Sequence, residues 1–142
     1  IKKPSDIQLR SKIQFAAVNA GLAFSNTRTS MAHAISYYLT LHKGTPHGIA
    51  CSVPLPLLLD FIEKNEYEMA QILHKTFSVD LHNKLKGLLQ KCNISSNLED
   101  YSLDKSDFRN IREQILSNQR AQNFIGINSF IDYWNKKWDL QS

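Results

Sequence analysis

Two histidines, His33 and His47, have the residue type and the spacing of a divalent-metal site. Neutral imidazole is a common ligand of divalent transition metals, and two imidazoles on a rigid helical scaffold can supply half of a four-coordinate site. No aspartate or further histidine in the sequence forms an evident second half. We therefore expect a metal centre to which this chain contributes only part of the ligands.

Between the two histidines the sequence predicts a helix, a tight turn and a return. A helix over residues 27–41 rises roughly 12 Å from His33 to its end. The six residues that follow span up to about 20 Å when extended, which is enough to bring His47 back to His33. Gly44 suits the position just past a helix end, and Pro46 prevents the helix from continuing. A return that lets both imidazoles face one cation is therefore feasible, although the sequence does not force it.

The stretch around this pair resembles the metal-binding signature of the iron-containing (group III) alcohol dehydrogenases, which belong to the dehydroquinate synthase-like superfamily. The resemblance rests on Ala23-Phe24-Ser25-Asn26, on His33 in the following helix, and on Pro46-His47-Gly48, with His47 fourteen residues after His33. It covers about residues 21–56, and Gly48-Ile49-Ala50 favours the alcohol dehydrogenase branch. The remaining sequence fits the helical C-terminal domain of that family in length and class but adds no sharp motif.

The resemblance implies roles for individual residues. His33 and His47 would bind the metal, Fe2+ or Zn2+. The family's other two ligands, an aspartate and a further histidine, would lie before Ile1. An α/β domain that binds NAD or NADP would also lie upstream, as a partner of this domain. Phe24 would line the pocket for the substrate or the nicotinamide. By itself the chain would then be inactive as an alcohol dehydrogenase or aldehyde reductase.

Two further residues near this pair are candidates for proton transfer and substrate binding. The family often has a second histidine one helical turn after the first ligand, and Tyr37 occupies that place here. Its hydroxyl can donate a hydrogen bond or pass a proton through water, but a reference pKa of about 10 makes it a poor base. Arg28, expected near the start of the helix, suits an anionic substrate group. Residues 25–30 also resemble the branch that reduces phosphonoacetaldehyde.

Composition and periodicity indicate one all-α domain over residues 1–142, a helical bundle, and the resemblance implies that this bundle has the dehydroquinate synthase-like fold. The length is sufficient for a hydrophobic core, apolar residues recur at spacings of three and four, and no stretch alternates as a strand does. The longest apolar stretch, residues 48–62, contains two prolines and is too short to span a membrane. Cys51 and Cys92 form neither a zinc finger nor a disulfide framework, which favours a reducing, cytoplasmic location.

Seven helical segments are expected. They are a helix from a cap at Ser5 or Asp6 to about residue 24, residues 27–41, residues 48–62 with a kink or restart at the prolines, residues 66–77 capped by Asn65, a helix around residues 81–89, residues 107–117, and a last helix from Asn128 or Ser129. Phe130, Trp134 and Trp138 stand at four-residue steps in the last helix and are expected to form a core stripe.

Other interpretations remain open from the sequence. A lone histidine on an apolar helix face is usually a packed core residue, and Cys51 in its apolar run is expected simply to pack. A non-enzymatic helical interaction module, a metal-storage or metal-sensing bundle, or another enzyme of the same superfamily would fit parts of the sequence. The net charge of +4 is scattered rather than striped, so nucleic-acid binding is not expected. A homodimer is compatible with the sequence.

Overall fold

The fold is helical throughout the part of the chain that the computed structural model describes, residues 3–25, 27–77 and 79–140. Its α-helices are α1 (Ile7–Ser25), α2 (Met31–Lys43), α3 (His47–Ser52), α4 (Leu55–Asn65), α5 (Tyr67–Thr76), α6 (Leu81–Lys91), α7 (Lys105–Ser117) and α8 (Ile127–Lys137). Short 3-10 turns occur at Leu98–Tyr101 and Ala121–Asn123. Within these ranges no strand is present, which confirms the expected all-α class. None of the described helices combines the length and the hydropathy needed to cross a membrane.

The first helix, α1, buries none of its side chains in this chain. Its start is fixed locally, because the Leu9 backbone N–H donates a hydrogen bond to the Asp6 carboxylate at 3.1 Å. Such a cap satisfies one of the N–H groups that a helix start leaves unpaired. Apolar side chains of α1 such as Ile7 and Phe15 are 78% and 70% exposed. The helix is therefore stabilised by its backbone and its cap rather than by packing.

The second helix, α2, passes through the hydrophobic core. Met31, Ala34, Ile35 and Leu39 are completely buried on it. The helix begins at Met31, so the prediction of a start near residue 27 is wrong by four residues. The preceding residues include threonines and Ser30, whose side chains favour caps and extended backbone over helix interiors. The Ser30 carbonyl accepts the first backbone hydrogen bonds of the helix, from His33 and Ala34.

The far side of the core is built from α7 and α8 around Trp134. This side chain is completely buried, and its indole N–H donates to the Phe108 carbonyl at 3.1 Å. Phe130 packs edge-on against Phe61 of α4, with ring centroids 5.2 Å apart. Trp138 lies just past the end of α8 and stacks on the Phe108 ring at 3.8 Å. The predicted core stripe on the last helix is confirmed.

Several predicted helix boundaries change in the structure. The apolar run of residues 48–62 divides into α3 and α4 around Pro54, as the prolines predict. The prediction that Asn65 caps the next helix is wrong, because Asn65 ends α4 and its side-chain amide donates to the Phe61 carbonyl at 2.8 Å. Helix α7 begins at Lys105, two residues earlier than predicted, behind an Asp104 cap.

A buried carboxylate, Asp107, joins the C-terminal half of α2 to the start of α7. Its Oδ1 accepts the Tyr38 hydroxyl at 2.8 Å, and its Oδ2 pairs with the Lys43 ammonium at 2.8 Å. The Asp104 backbone N–H also donates to Oδ2, which completes a capping box. Burial by itself raises the pKa of Asp107, but the hydrogen bonds from Lys43, Asp104 and Tyr38 lower this pKa from 3.8 to about 2. Asp107 therefore holds the helix that carries His33 in place.

The Asp107 carboxylate makes the free energy of unfolding depend on pH in the acid range. Because the folded pKa of Asp107 is lower than its ordinary value, its stabilising contribution is complete above pH 3.8 and is lost as the pH falls towards about 2. Asp107→Asn removes the charge, and we expect it to lower the free energy of unfolding at neutral pH by about 2 kcal/mol. Urea unfolding followed by circular dichroism at several pH values measures both effects.

The exposed Asp132 on α8 provides the matched control. Asp132→Asn is expected to leave the acid-dependent loss of stability unchanged, whereas Asp107→Asn is expected to reduce it. If both variants retained the wild-type dependence on pH, the role given to Asp107 would be wrong.

Candidate metal centre

A three-residue turn reverses the chain between α2 and α3. Gly44 adopts a left-handed conformation with φ of 65°, which a residue without a side chain reaches at little cost. The N–H groups of Gly44 and Thr45 are directed to the Leu39 carbonyl and so cap the end of α2. Pro46 then precedes α3, whose first residue is His47. The turn that the Gly and Pro residues predict is therefore present, and it brings α3 back along α2.

The two imidazoles lie together across this turn. The ring centroids of His33 and His47 are 5.5 Å apart and their planes are inclined by 71°. His33 is half-buried and His47 is exposed. Burial lowers the pKa of His33, and the nearby His47 and Arg120 lower this pKa further. The neutral imidazole that results is the form that binds metals.

The Cys51 thiol lies close to both imidazoles. Cys51 follows His47 by one turn of α3, and its Sγ lies 3.5 Å from His47 Nε2. Ligand atoms of His33, His47 and Cys51 all lie within 4.8 Å of one another. The chemistry of this donor set fits a divalent transition metal, because imidazole nitrogen and thiolate sulfur are both metal ligands. The four-residue spacing of His47 and Cys51 is the sequence signal for this contact.

The centre opens into a cavity of about 670 Å³. All five residues predicted for the site line this cavity: Phe24, Arg28, His33, Tyr37 and His47. Phe24 comes from the end of α1 and is 56% exposed. Arg28, predicted near the start of the helix, lies three residues before it, because the backbone becomes helical only at Met31. Asn26, part of the motif before the helix, lies outside the described residues.

Arg120 contributes a second guanidinium to this cavity. It lies between α7 and α8, and its Nη1 donates a hydrogen bond to the Tyr37 hydroxyl. The guanidinium carbon is also 5.6 Å from the centroid of the Tyr37 ring, within the range of cation–π attraction. The Tyr37 ring in turn stacks on His47, with centroids 6.0 Å apart. No local sequence pattern predicts this contact, because Arg120 and Tyr37 are 83 residues apart.

Comparison with known proteins assigns the family. The family model described as "Fe-containing alcohol dehydrogenase family, C-terminal" matches residues 1–129. The chain belongs to this family. The resemblance seen around His33 and His47 is thereby confirmed, and the match extends over nearly the whole sequence. No solved structure shows significant similarity.

Curated relatives of this chain are named as dehydrogenases and reductases. The NADPH-dependent butanol dehydrogenase of Clostridium saccharobutylicum is 27% identical over 115 residues, covering 74% of this chain and 30% of the relative. The phosphonoacetaldehyde reductase of Streptomyces viridochromogenes is 46% identical over 56 residues, 39% of this chain and 14% of the relative. The sulfoacetaldehyde reductase of Bilophila wadsworthia is 24% identical over 128 residues, covering 80% of this chain and 33% of the relative. The chain thus spans about a third or less of each of these relatives.

Proposed function

We propose that this chain supplies part of the catalytic metal centre of an NAD(P)-dependent alcohol dehydrogenase or aldehyde reductase. The observation that carries the proposal is the convergence of His33 and His47 across the turn between α2 and α3. Family membership and the name of the butanol dehydrogenase relative support the reaction class. The remaining ligands and the nicotinamide site would come from polypeptide outside these 142 residues, so the chain alone is expected to turn over no alcohol.

Each cavity residue then has a distinct task. The cation, Fe2+ or Zn2+, would supply a Lewis acid for the alcohol or carbonyl oxygen when bound. His33 and His47 would hold it, and Phe24 would form the apolar wall beside the nicotinamide. The Tyr37 hydroxyl accepts a hydrogen bond from Arg120 and so keeps its own proton to donate to the substrate oxygen or to a water molecule.

Metal titration of the purified chain tests the proposal. We expect one equivalent of Zn2+ to bind, and His33→Ala or His47→Ala to weaken binding by about 100-fold, because each change removes a ligand rather than an outer contact. Isothermal titration calorimetry measures the affinity, and circular dichroism confirms that the variants remain helical.

His42→Ala is the matched control for this titration. His42 is an exposed histidine near the end of α2, where its ring packs on Tyr38 rather than lining the cavity. Its replacement is expected to leave metal binding unchanged. Equal binding by all the variants and the wild type would contradict the metal centre and favour structural histidines.

A narrower substrate class is favoured by the charge of the cavity. Arg28 and Arg120 both line it, and guanidinium groups pair with the oxygens of phosphonate and sulfonate groups. Two of the relatives are named for aldehydes that carry such groups, phosphonoacetaldehyde and sulfoacetaldehyde. We therefore propose a short anionic aldehyde as the substrate, with its carbonyl towards the histidines and its charged group towards the arginines.

A further inference from the structure

The thiol beside His47 points to a ligand beyond the two histidines. We propose that Cys51 is a third metal ligand, and that His33, His47 and Cys51 form a set of two nitrogens and one sulfur that favours Zn2+ over Fe2+ and leaves one position of a tetrahedral site for a ligand from outside the chain. This inference rests on the proposed metal centre and adds a ligand to it. Its basis is the cluster of three donor atoms within 4.8 Å of one another.

The distance between Cys51 and His47 agrees with joint coordination. In a tetrahedral zinc site the metal–sulfur bond is about 2.3 Å and the metal–nitrogen bond about 2.0–2.1 Å, so the sulfur and nitrogen atoms are about 3.6 Å apart. The distance between Cys51 Sγ and His47 Nε2 in the structure is 3.5 Å. The other ring nitrogen, Nδ1, is farther from the sulfur, at 4.0 Å. Nε2 and Sγ are therefore already placed as neighbouring ligands.

The environment of Cys51 differs from that of a packed core cysteine. Its neighbours Ala50 and Val53 are completely buried and form the face of this segment that packs into the core. Cys51 is only half-buried and lies on the side of α3 that carries His47. Cys51 therefore does not simply pack in the core, as the apolar run predicts. Its sulfur contacts the His47 imidazole.

A sulfur ligand changes which metal the centre prefers. Thiolate is a soft ligand that favours Zn2+, whereas a set of nitrogen and oxygen ligands is less selective between Zn2+ and Fe2+. When the metal binds, a metal–sulfur bond forms and the thiol proton is released to solvent. The His33 nitrogen, within 4.8 Å of the other two donors, needs a modest side-chain rotation to complete the set.

Co2+ is the probe that tests the sulfur ligand, because a thiolate bound to it gives an intense near-ultraviolet charge-transfer band. The reduced 142-residue chain is titrated with Co2+ in the absence of oxygen. The wild type is expected to show the band, and Cys51→Ser is expected to lose it and to bind Co2+ about 100-fold more weakly. Competition between Zn2+ and Fe2+ is expected to favour Zn2+ less strongly in Cys51→Ser than in the wild type.

Cys92→Ser is the matched control, because Cys92 is the other free cysteine and is exposed on the surface. It is expected to retain both the band and the affinity. Metal binding by the wild type without the charge-transfer band would overturn the third ligand and leave the two-histidine centre intact. Failure of the wild type to bind any Co2+ would overturn both proposals. Circular dichroism of each variant shows that a lost band does not reflect unfolding.

Discussion

Trp134→Ala is expected to lower the free energy of unfolding by about 4 kcal/mol, because it removes the largest completely buried side chain. The indole packs against Phe108, Phe130 and Trp138, each with ring centroids 5.9 Å from its own. The substitution also leaves the Phe108 carbonyl without its indole partner. A domain whose total stability is about 5–15 kcal/mol would lose a large part of it. Urea unfolding followed by circular dichroism measures the loss.

Leu41→Ala is the control for this substitution. Leu41 is 74% exposed on α2, so its truncation is expected to change the free energy of unfolding by less than about 0.5 kcal/mol. Similar losses for the two variants would mean that the aromatic cluster around Trp134 is not the centre of the core.

Arg120→Ala is expected to reduce the specificity constant kcat/KM for phosphonoacetaldehyde by about 100-fold, measured in the active enzyme that includes this chain. That factor corresponds to about 2.7 kcal/mol, within the range for a hydrogen bond to a charged group. Butanal carries no anionic group, so its kcat/KM is expected to fall only by the part of the loss that acts through Tyr37, which is at least about tenfold smaller than the loss for phosphonoacetaldehyde. The difference between the two aldehydes is the measurement that identifies an anion-binding role.

Two further results decide how Arg120 acts. Arg109, exposed on α7 and away from the cavity, is the control position, and Arg109→Ala is expected to leave both aldehydes unaffected. Arg120 also holds the Tyr37 hydroxyl, and a loss of activity that acts only through Tyr37 would impair proton donation to any aldehyde. In that case both aldehydes would lose activity equally through kcat, and the anionic substrate class would be refuted.

The fold class and the meeting of the two histidines were predictable because both follow from local pattern. Helical spacing of apolar residues identifies the helices, and Gly44 with Pro46 identifies the turn that returns the chain to His33. The late start of α2 shows the limit of such patterns. Apolar spacing locates the interior of a helix but not its first residue, which here is Met31, directly after the non-helical Ser30.

The rest of the cavity depends on tertiary structure. Arg120 reaches Tyr37 only because α7 packs beside α2 and places the following loop against the same cavity. No spacing along the chain encodes a contact between residues so far apart in sequence. Cys51 is a different case, because its spacing from His47 is visible in the sequence. A cysteine in an apolar run is usually a packing residue, and only the coordinates show its sulfur beside the imidazole.

The short turn between α2 and α3 affects which ions the proposed metal centre can bind. Only residues 44–46 separate the two helices, so the imidazoles are preorganised by the backbone and little further entropy is lost when an ion arrives. The same rigidity limits how far the rings can spread. A cation such as Ca2+, which takes six to eight oxygen ligands at about 2.3–2.6 Å, would find too few donors there, and nitrogen and sulfur rather than oxygen.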